Sequence, residues 1–377
     1  MSKLNDHSSR AHAMLSASSS SRWLKCPPSA VAASLYPNTD TAFTREGTLA
    51  HEVAEAAVRG TAIMVSEQPD ITPEMIRCAE AYADYIWELV KSEDATVLLE
   101  QRLDLSPWVP QGFGTGDCLI LQDRVLHVID YKFGQGVAVS AVGNSQMRLY
   151  GLGAYNEFGM IYDIDEVVLH IFQPRMNNIS VERLSLAELL AWGEETKPVA
   201  AQAAKGKGEY CSGEHCRFCP HAGSCVKLAS DCMQVVKLGR SKATVATMEP
   251  WMVSEILTQE PVISAWLRAV KDRALATLLE GREIPGFKVV EGKLGNRKWT
   301  DELAVEYALA EAGYDPNDYV ETRLLSPSAM DKAIGKKKVA ELLESLIDRS
   351  PGAPTVVPES DKRKPFDRLA EARKDFE

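Results

Sequence analysis

Residues 114–132 read Gly-Thr-Gly-Asp-Cys-Leu-Ile-Leu-Gln-Asp-Arg-Val-Leu-His-Val-Ile-Asp-Tyr-Lys. Two apolar runs, 118–121 and 125–129, flank the polar Gln122-Asp123-Arg124, a pattern that predicts a β-hairpin turning at Asp123-Arg124. That register sets Asp117 opposite Asp130. Side chains alternate along a strand, so Lys132 shares a face with Asp130. Two carboxylates and an ammonium then meet at one end of an otherwise apolar hairpin. Buried charges are costly unless they are paired or hold a metal. The pattern therefore suggests a Mg2+ site able to cut a phosphodiester.

Outward from the hairpin, the periodicity changes. Residues 43–59 predict a helix on which His51 and Glu55, four apart, share a face. A lone histidine there would read as an ordinary surface residue. Residues 72–91 predict a second amphipathic helix, with Pro73 in its first turn and a stripe of Met75, Ile76, Ala79, Tyr82, Ile86 and Leu89. Residues 96–105 predict a strand whose Glu100 points either to the carboxylate face or to solvent. After a loop at 133–136 come a helix at 144–158, with Gln146 and Tyr150 on one face, a strand at 167–173 and a helix at 187–204. This order predicts an α/β fold, a central mixed sheet flanked by helices. The segment 250–280 reads as a helix broken at Pro261, followed by a strand at 287–291 and further helices. The domain expectation is a disordered 1–15, a core over 16–232, an α-rich accessory domain over 243–358 and a charged tail over 359–377.

The chain has 377 residues, 45% hydrophobic and 25% charged, with a net charge of −11. That balance excludes a general coat of basic residues for non-specific nucleic-acid binding, while leaving room for a local basic groove. No apolar run approaches the roughly 18 residues needed to span a membrane, and residues 1–21 lack the apolar core of a secretory signal. A cytoplasmic protein is expected. Among eight cysteines, Cys211, Cys216, Cys219 and Cys225 fall within 15 residues. Such a cluster favours a metal site, zinc or iron–sulfur, over chance. Cys26 alone would read as a buried thiol.

Gly116-Asp117 followed by Val128-Ile-Asp130-Tyr-Lys132 resembles the catalytic signature of the PD-(D/E)xK nuclease superfamily. Gly47-Thr-Leu-Ala-His51 is similar to the histidine motif of its RecB-like branch, and Gln146-Met-Arg-Leu-Tyr150 to that branch's QxxxY motif. The branch includes lambda-type exonucleases, the nuclease domains of RecB and AddB, and CRISPR adaptation nucleases. Some of these carry a [4Fe–4S] cluster held by one cysteine before the nuclease motifs and three after, the latter spaced like Cys216, Cys219 and Cys225. The resemblance makes Cys26 the leading ligand. Cys211 is then an extra thiol, which keeps a Zn2+ site of Cys211, Cys216, Cys219 and Cys225 open. Trp23 with Cys26-Pro27, residues 214–219, Arg297-Lys298-Trp299, Leu325-Ser326-Pro327 and residues 358–363 resemble a family of uncharacterised phage and prophage proteins expected to be RecB-like nucleases.

These resemblances imply a restriction-endonuclease-like core and a Mg2+- or Mn2+-dependent DNA exonuclease acting in phage recombination, repair or replication. A phage single-strand annealing protein is a candidate partner. His51, Asp117, Asp130 and the Tyr131 carbonyl would hold the metal. Lys132 would assist the attacking water or stabilise the transition-state charge, and Gln146 and Tyr150 would hold the phosphate or neighbouring bases. Arg148, Lys298 and Trp299 would contact DNA through phosphate pairing and stacking. The competing expectation is a non-catalytic DNA- or partner-binding scaffold with a structural metal.

Overall fold

A computed structural model describes residues 13–37, 42–61, 70–237, 249–290 and 335–343. Two compact units are distinguished, Met1–Asn296 and Arg297–Glu377. The first is built on a five-stranded sheet in the order β1-β2-β3-β4-β5: β1 (Thr96–Asp104), β2 (Phe113–Gln122), β3 (Val125–Tyr131), β4 (Glu166–Gln173) and β5 (Asn178–Ser185). All neighbouring pairs are antiparallel except β3 and β4, which run parallel. The sheet is therefore mixed, as its alternation of helices and strands predicts. The connection between the parallel strands is α5 (Ser145–Phe158), the crossover that parallel pairing demands.

The hairpin has the expected register, Gln122 pairing with Val125 and Cys118 with Ile129. Asp123 and Arg124 both have positive φ, 47° and 65°, the conformation of a type I′ turn. Arg124 is fastened beyond the turn by Asp163 and Asp165.

Both faces of the sheet are covered. On one lie α3 (Ala42–Arg59) and α4 (Pro73–Leu89), whose Val53, Met75, Ala79, Tyr82 and Ile86 pack on Ile120, Ile129 and Tyr131. Thr72 caps α4 and Pro73 opens it, as their positions suggest. On the other face lie α5 and α6 (Leu186–Ala203), where Met147, Leu152 and Leu189 meet Leu126, Val128 and Leu169. The short α1 (Ser20–Trp23) and α2 (Ser29–Ser34) join this second core, with Trp23 fully buried and its indole N–H donating to the Ser16 carbonyl. Leu15 is buried there too, so residues 13–15 are ordered parts of the core, contrary to the expectation of disorder through residue 15.

Four elements depart from the sequence reading. β5 escapes notice because it reverses the usual polarity: Ile179 and Val181 face outward while Glu182 is buried against an arginine. The stretch after the last cysteine continues as α7 (Val226–Lys237). The helix at Pro261 is unbroken. α8 (Pro250–Leu279) runs through that proline, and Val262, Ile263, Trp266 and Ala269 just beyond it pack on the cysteine segment. A proline inside a helix costs about 3 kcal/mol, which this apolar docking offsets. α8 accordingly lies with the first unit, where the sequence suggested a boundary at residue 243. Residues 287–290 form no strand and make one isolated bridge, Ile284 to Phe287. α9 (Lys336–Leu343) is the described helix of the second unit.

Beneath α4, two buried histidines form a hydrogen-bonded chain, with Tyr85 Oη 2.8 Å from His170 Nδ1 and His170 Nε2 3.0 Å from His127 Nδ1. Burial and then Arg183 hold His127 down to about 4, and burial, then the His127 imidazole, then Arg183 hold His170 to about 3. The unfolded chain takes up these protons near pH 6.5, the folded chain only well below it, so stability is complete above pH 6.5 and lost as pH falls towards 4. Denaturant unfolding at pH 7, 6 and 5 should show a loss of up to roughly 1.4 kcal/mol per pH unit for each imidazole. His170→Leu should remove one proton from that slope; an unchanged slope would refute the assignment.

Candidate functional site

The site lies where β2 and β3 part. Their ladder ends at Cys118 and Ile129. One residue further, the Tyr131 N–H donates to Asp117 Oδ2 at 2.8 Å, a side chain standing in for the missing backbone acceptor. The β1–β2 ladder is interrupted at the same level, where Glu100 would face Asp117. Glu100 has φ +52°, unusual for a residue with a side chain. Here the two strands turn over. Leu99 and Cys118 pack with α3 and α4, whereas Leu103 packs with α5, and a Cβ on Gly116 would meet Leu103 and Leu119. This reversal brings carboxylates from both strands to one point.

Towards α3, His51 Nδ1 lies 3.5 Å from Asp117 Oδ2. One ligating atom each from His51, Glu100 and Asp117 falls within 4.8 Å of the others, the one such triad among the described residues. Burial alone would lower the His51 imidazole, but the Asp117 carboxylate raises it above its ordinary value. Glu100 is pushed up to about 7, first by desolvation and then by Asp117. Carboxylates crowded in this way favour either a shared proton or a cation.

Towards α5, Asp130 is 2% exposed, and its Oδ1 accepts from Gln146 Nε2 at 3.0 Å. Its Oδ2 lies 2.8 Å from Lys132 Nζ, a buried ion pair in which the ammonium serves as that oxygen's partner. Desolvation raises the Asp130 carboxyl; Lys132 pulls it back and Asp117 raises it further. Burial on its own would lower the Lys132 ammonium, but Asp130 and Asp117 hold it above its usual value. Lys132 Nζ also reaches Gln146 Oε1 at 3.5 Å, and Gln146 Nε2 lies 3.3 Å from Tyr150 Oη. Asn144 caps α5 through the Gln146 and Met147 amides and so fixes where Gln146 starts. A Cβ on Gly114 would sit 2.6 Å from the Tyr150 ring, so this strand position requires glycine.

The structure thus assembles His51, Asp117, Asp130, Lys132, Gln146 and Tyr150, and adds Glu100, whose orientation the sequence left open. The Tyr131 ring is buried against Tyr82 and Phe172 and meets the His51 ring edge-on at 5.4 Å, while its backbone N–H bonds Asp117. Arg148 is elsewhere. Its guanidinium makes two hydrogen bonds to Glu182, 2.6 and 3.1 Å, and lies over the Trp192 ring. Residues two apart on a helix do not share a face, so Arg148 cannot join Gln146 and Tyr150 as the expected DNA contact. Lys298 and Trp299 lie outside the described residues.

The cysteines gather at the far end of the same unit. Cys26 is 4% exposed, and its Sγ receives the Cys211 N–H at 3.4 Å. Cys225 Sγ receives the Leu228 N–H at 3.4 Å. Cys26, Cys219 and Cys225 all act electrostatically on Cys216. Cys211 is exposed, and its own Sγ lies 3.7 Å from the Ser212 carbonyl. Among the described residues no three cysteine sulfurs fall within 4.8 Å of one another. Burial pushes the Cys216 thiol up to about 11, so a cation is needed to draw off its proton. Gly223 passes directly over the Ala269 carbonyl of α8, leaving no room for a side chain.

The chain belongs to the DUF2800 family, described as a protein of unknown function, whose model matches residues 12–364. Among solved structures it is similar to a crystal structure of SSO0001, at 14% identity over 47% of this chain and 84% of that one, with a TM-score of 0.23. No helix among the described residues is long and apolar enough to cross a membrane.

Proposed function

We propose that this chain is a divalent-metal-dependent deoxyribonuclease of the PD-(D/E)xK, RecB-like type, acting as an exonuclease in phage or prophage DNA recombination, repair or replication. The observation that carries the reading is the fork between β2 and β3. There the buried Asp130 carboxylate, paired with Lys132 and held by Gln146, meets Asp117, with His51 and Glu100 alongside.

The donor set fits a hard cation such as Mg2+ or Mn2+. Asp117 and Asp130 offer carboxylate oxygens, with His51 and Glu100 within reach. When bound, such an ion supplies charge to the phosphate oxygens and lowers the pKa of water. The chain's own groups do the rest. Gln146 holds Asp130 in orientation through Oδ1, leaving Oδ2 to Lys132. Lys132, charged at neutral pH, places its ammonium beside that oxygen, where it stabilises negative charge gathering on the phosphate. Tyr150, kept protonated by burial and by Asp130, donates a hydrogen bond rather than accepting a proton. For the cysteines we favour a [4Fe–4S] cluster on Cys26, Cys216, Cys219 and Cys225, supported by the N–H donors aimed at the Cys26 and Cys225 sulfurs.

Purified protein should degrade end-labelled linear DNA with Mg2+ or Mn2+, and not with EDTA. Lys132→Met should slow this by at least about a hundredfold, and it should lower the melting temperature at neutral pH because Asp130 is left buried without its counter-charge. Metal-dependent DNA binding without any cleavage by wild type would instead establish the scaffold reading.

A further inference from the structure

The cysteine site and the carboxylate site are joined by one short piece of chain, residues 16–26. At its C-terminal end the Cys26 N–H bonds the Arg22 carbonyl at 2.8 Å, and the Cys26 carbonyl accepts from Ser29 N–H at 2.9 Å. The Arg22 side chain acts on Cys219 and His215, and its Nε is buried with no hydrogen-bond partner. One turn earlier, Ser20 is 1% exposed, and its Oγ lies 2.6 Å from Ser145 Oγ. Ser145 is the first residue of α5, and its neighbour is Gln146, which orients Asp130. Trp23, in the same segment, is fully buried, and its indole N–H donates to the Ser16 carbonyl.

We infer that this segment is a strut, and that Ser20 is a positioning residue through which occupancy of the cysteine site sets the placement of Gln146. α5 begins at Ser145, so a displacement of Ser20 is transmitted to the first turn of the helix. Two hydroxyls buried against each other lose much of their value when one is removed, because the other is left unpaired. Emptying the cysteines frees Cys26, loosens α1 and weakens the Ser20–Ser145 contact. The active site thereby becomes dependent on a group that touches none of its residues. The inference rests on the nuclease reading only for its kinetic consequence; the mechanical coupling is independent of it.

Amide hydrogen exchange on the full-length protein tests the coupling. The Gln146, Met147 and Arg148 N–H groups, all bonded to Asn144, should exchange at least about tenfold faster in Ser20→Ala, with the visible absorption of the cysteine site intact. Cys26→Ala should give the same acceleration, and the double variant no more than either alone. If Cys26→Ala does not fold, wild-type protein stripped with EDTA and ferricyanide replaces it. In DNA cleavage, Ser20→Ala should lower kcat with KM unchanged, and Ser20→Thr should restore it. Unchanged exchange at residues 146–148 after loss of the cysteine-bound group would overturn the strut. A wild-type protein that cuts no DNA but shows the exchange coupling would refute the nuclease reading and leave the strut standing.

Discussion

Asp117→Asn is expected to abolish metal-dependent cleavage, by at least on the order of a thousandfold, while the protein melts at the same temperature or higher. The asparagine oxygen can still accept the Tyr131 N–H, so the fork between β2 and β3 keeps its bridge. What disappears is the charge. Asp117 is the carboxylate that His51, Glu100, Asp130 and Lys132 all respond to. Without it a cation loses a central ligand and the repulsion on Glu100 and Asp130 is relieved. The sign for Glu100 follows from its raised value. The folded state holds the Glu100 proton up to about 7, against an ordinary 4.5, so wild-type stability declines as pH rises through that window, and the variant should decline less. Mn2+ titration calorimetry should show affinity reduced by at least about tenfold. Wild-type cleavage rates in Asp117→Asn would remove Asp117 from the site, and a large drop in melting temperature would make its role structural.

Part of this site is legible in the sequence because local rules suffice for it. Turn chemistry at Asp123-Arg124 fixes the hairpin register, and strand alternation then places Asp130 and Lys132 on the face that α5 covers. The same helical geometry that pairs Gln146 with Tyr150 turns Arg148 away from them, towards Glu182. Glu100 is different. Val97, Leu99, Leu103 and Leu105 are all odd-numbered apolar positions, with Gln101 among them, so β1 reads as one face throughout. In the fold the first two pack towards α4 and the last two towards α5. The reversal occurs at Glu100, whose backbone conformation no side-chain pattern announces. β5 was hidden for the opposite reason. Its buried polar residue, Glu182, is satisfied by Arg148 and the Gly143 N–H, partners found only after the chain has folded. The cysteines pose the same long-range problem. Spacing groups Cys211 with Cys216, whereas the fold brings in Cys26 from nearly two hundred residues away and turns the Cys211 sulfur aside.

That last arrangement supports the second large effect. Cys216→Ala should lose the cysteine-bound group and lower the melting temperature by on the order of 10 °C, because binding free energy at such a site is folding free energy and a few kcal/mol moves a domain of this size by that amount. Cys216 is 8% exposed and packs with Ala222, Leu228, Cys232 and Val262, the contacts that seat α8 on the cysteine segment. Protein purified without oxygen should be brown, with absorption near roughly 400 nm from sulfur-to-iron charge transfer. Comparing two further variants decides which sulfurs are ligands. Cys26→Ala should bleach the protein, since its sulfur is buried among the other three and already accepts an N–H. Cys211→Ala should keep full colour and iron content, since its sulfur is exposed beside the Ser212 carbonyl. The reverse outcome, colour or metal lost with Cys211 and kept without Cys26, would assign the site to the local set of four. A colourless protein holding one zinc per chain in that case would identify a tetrahedral centre, and the strut through Ser20 would then have no anchored end.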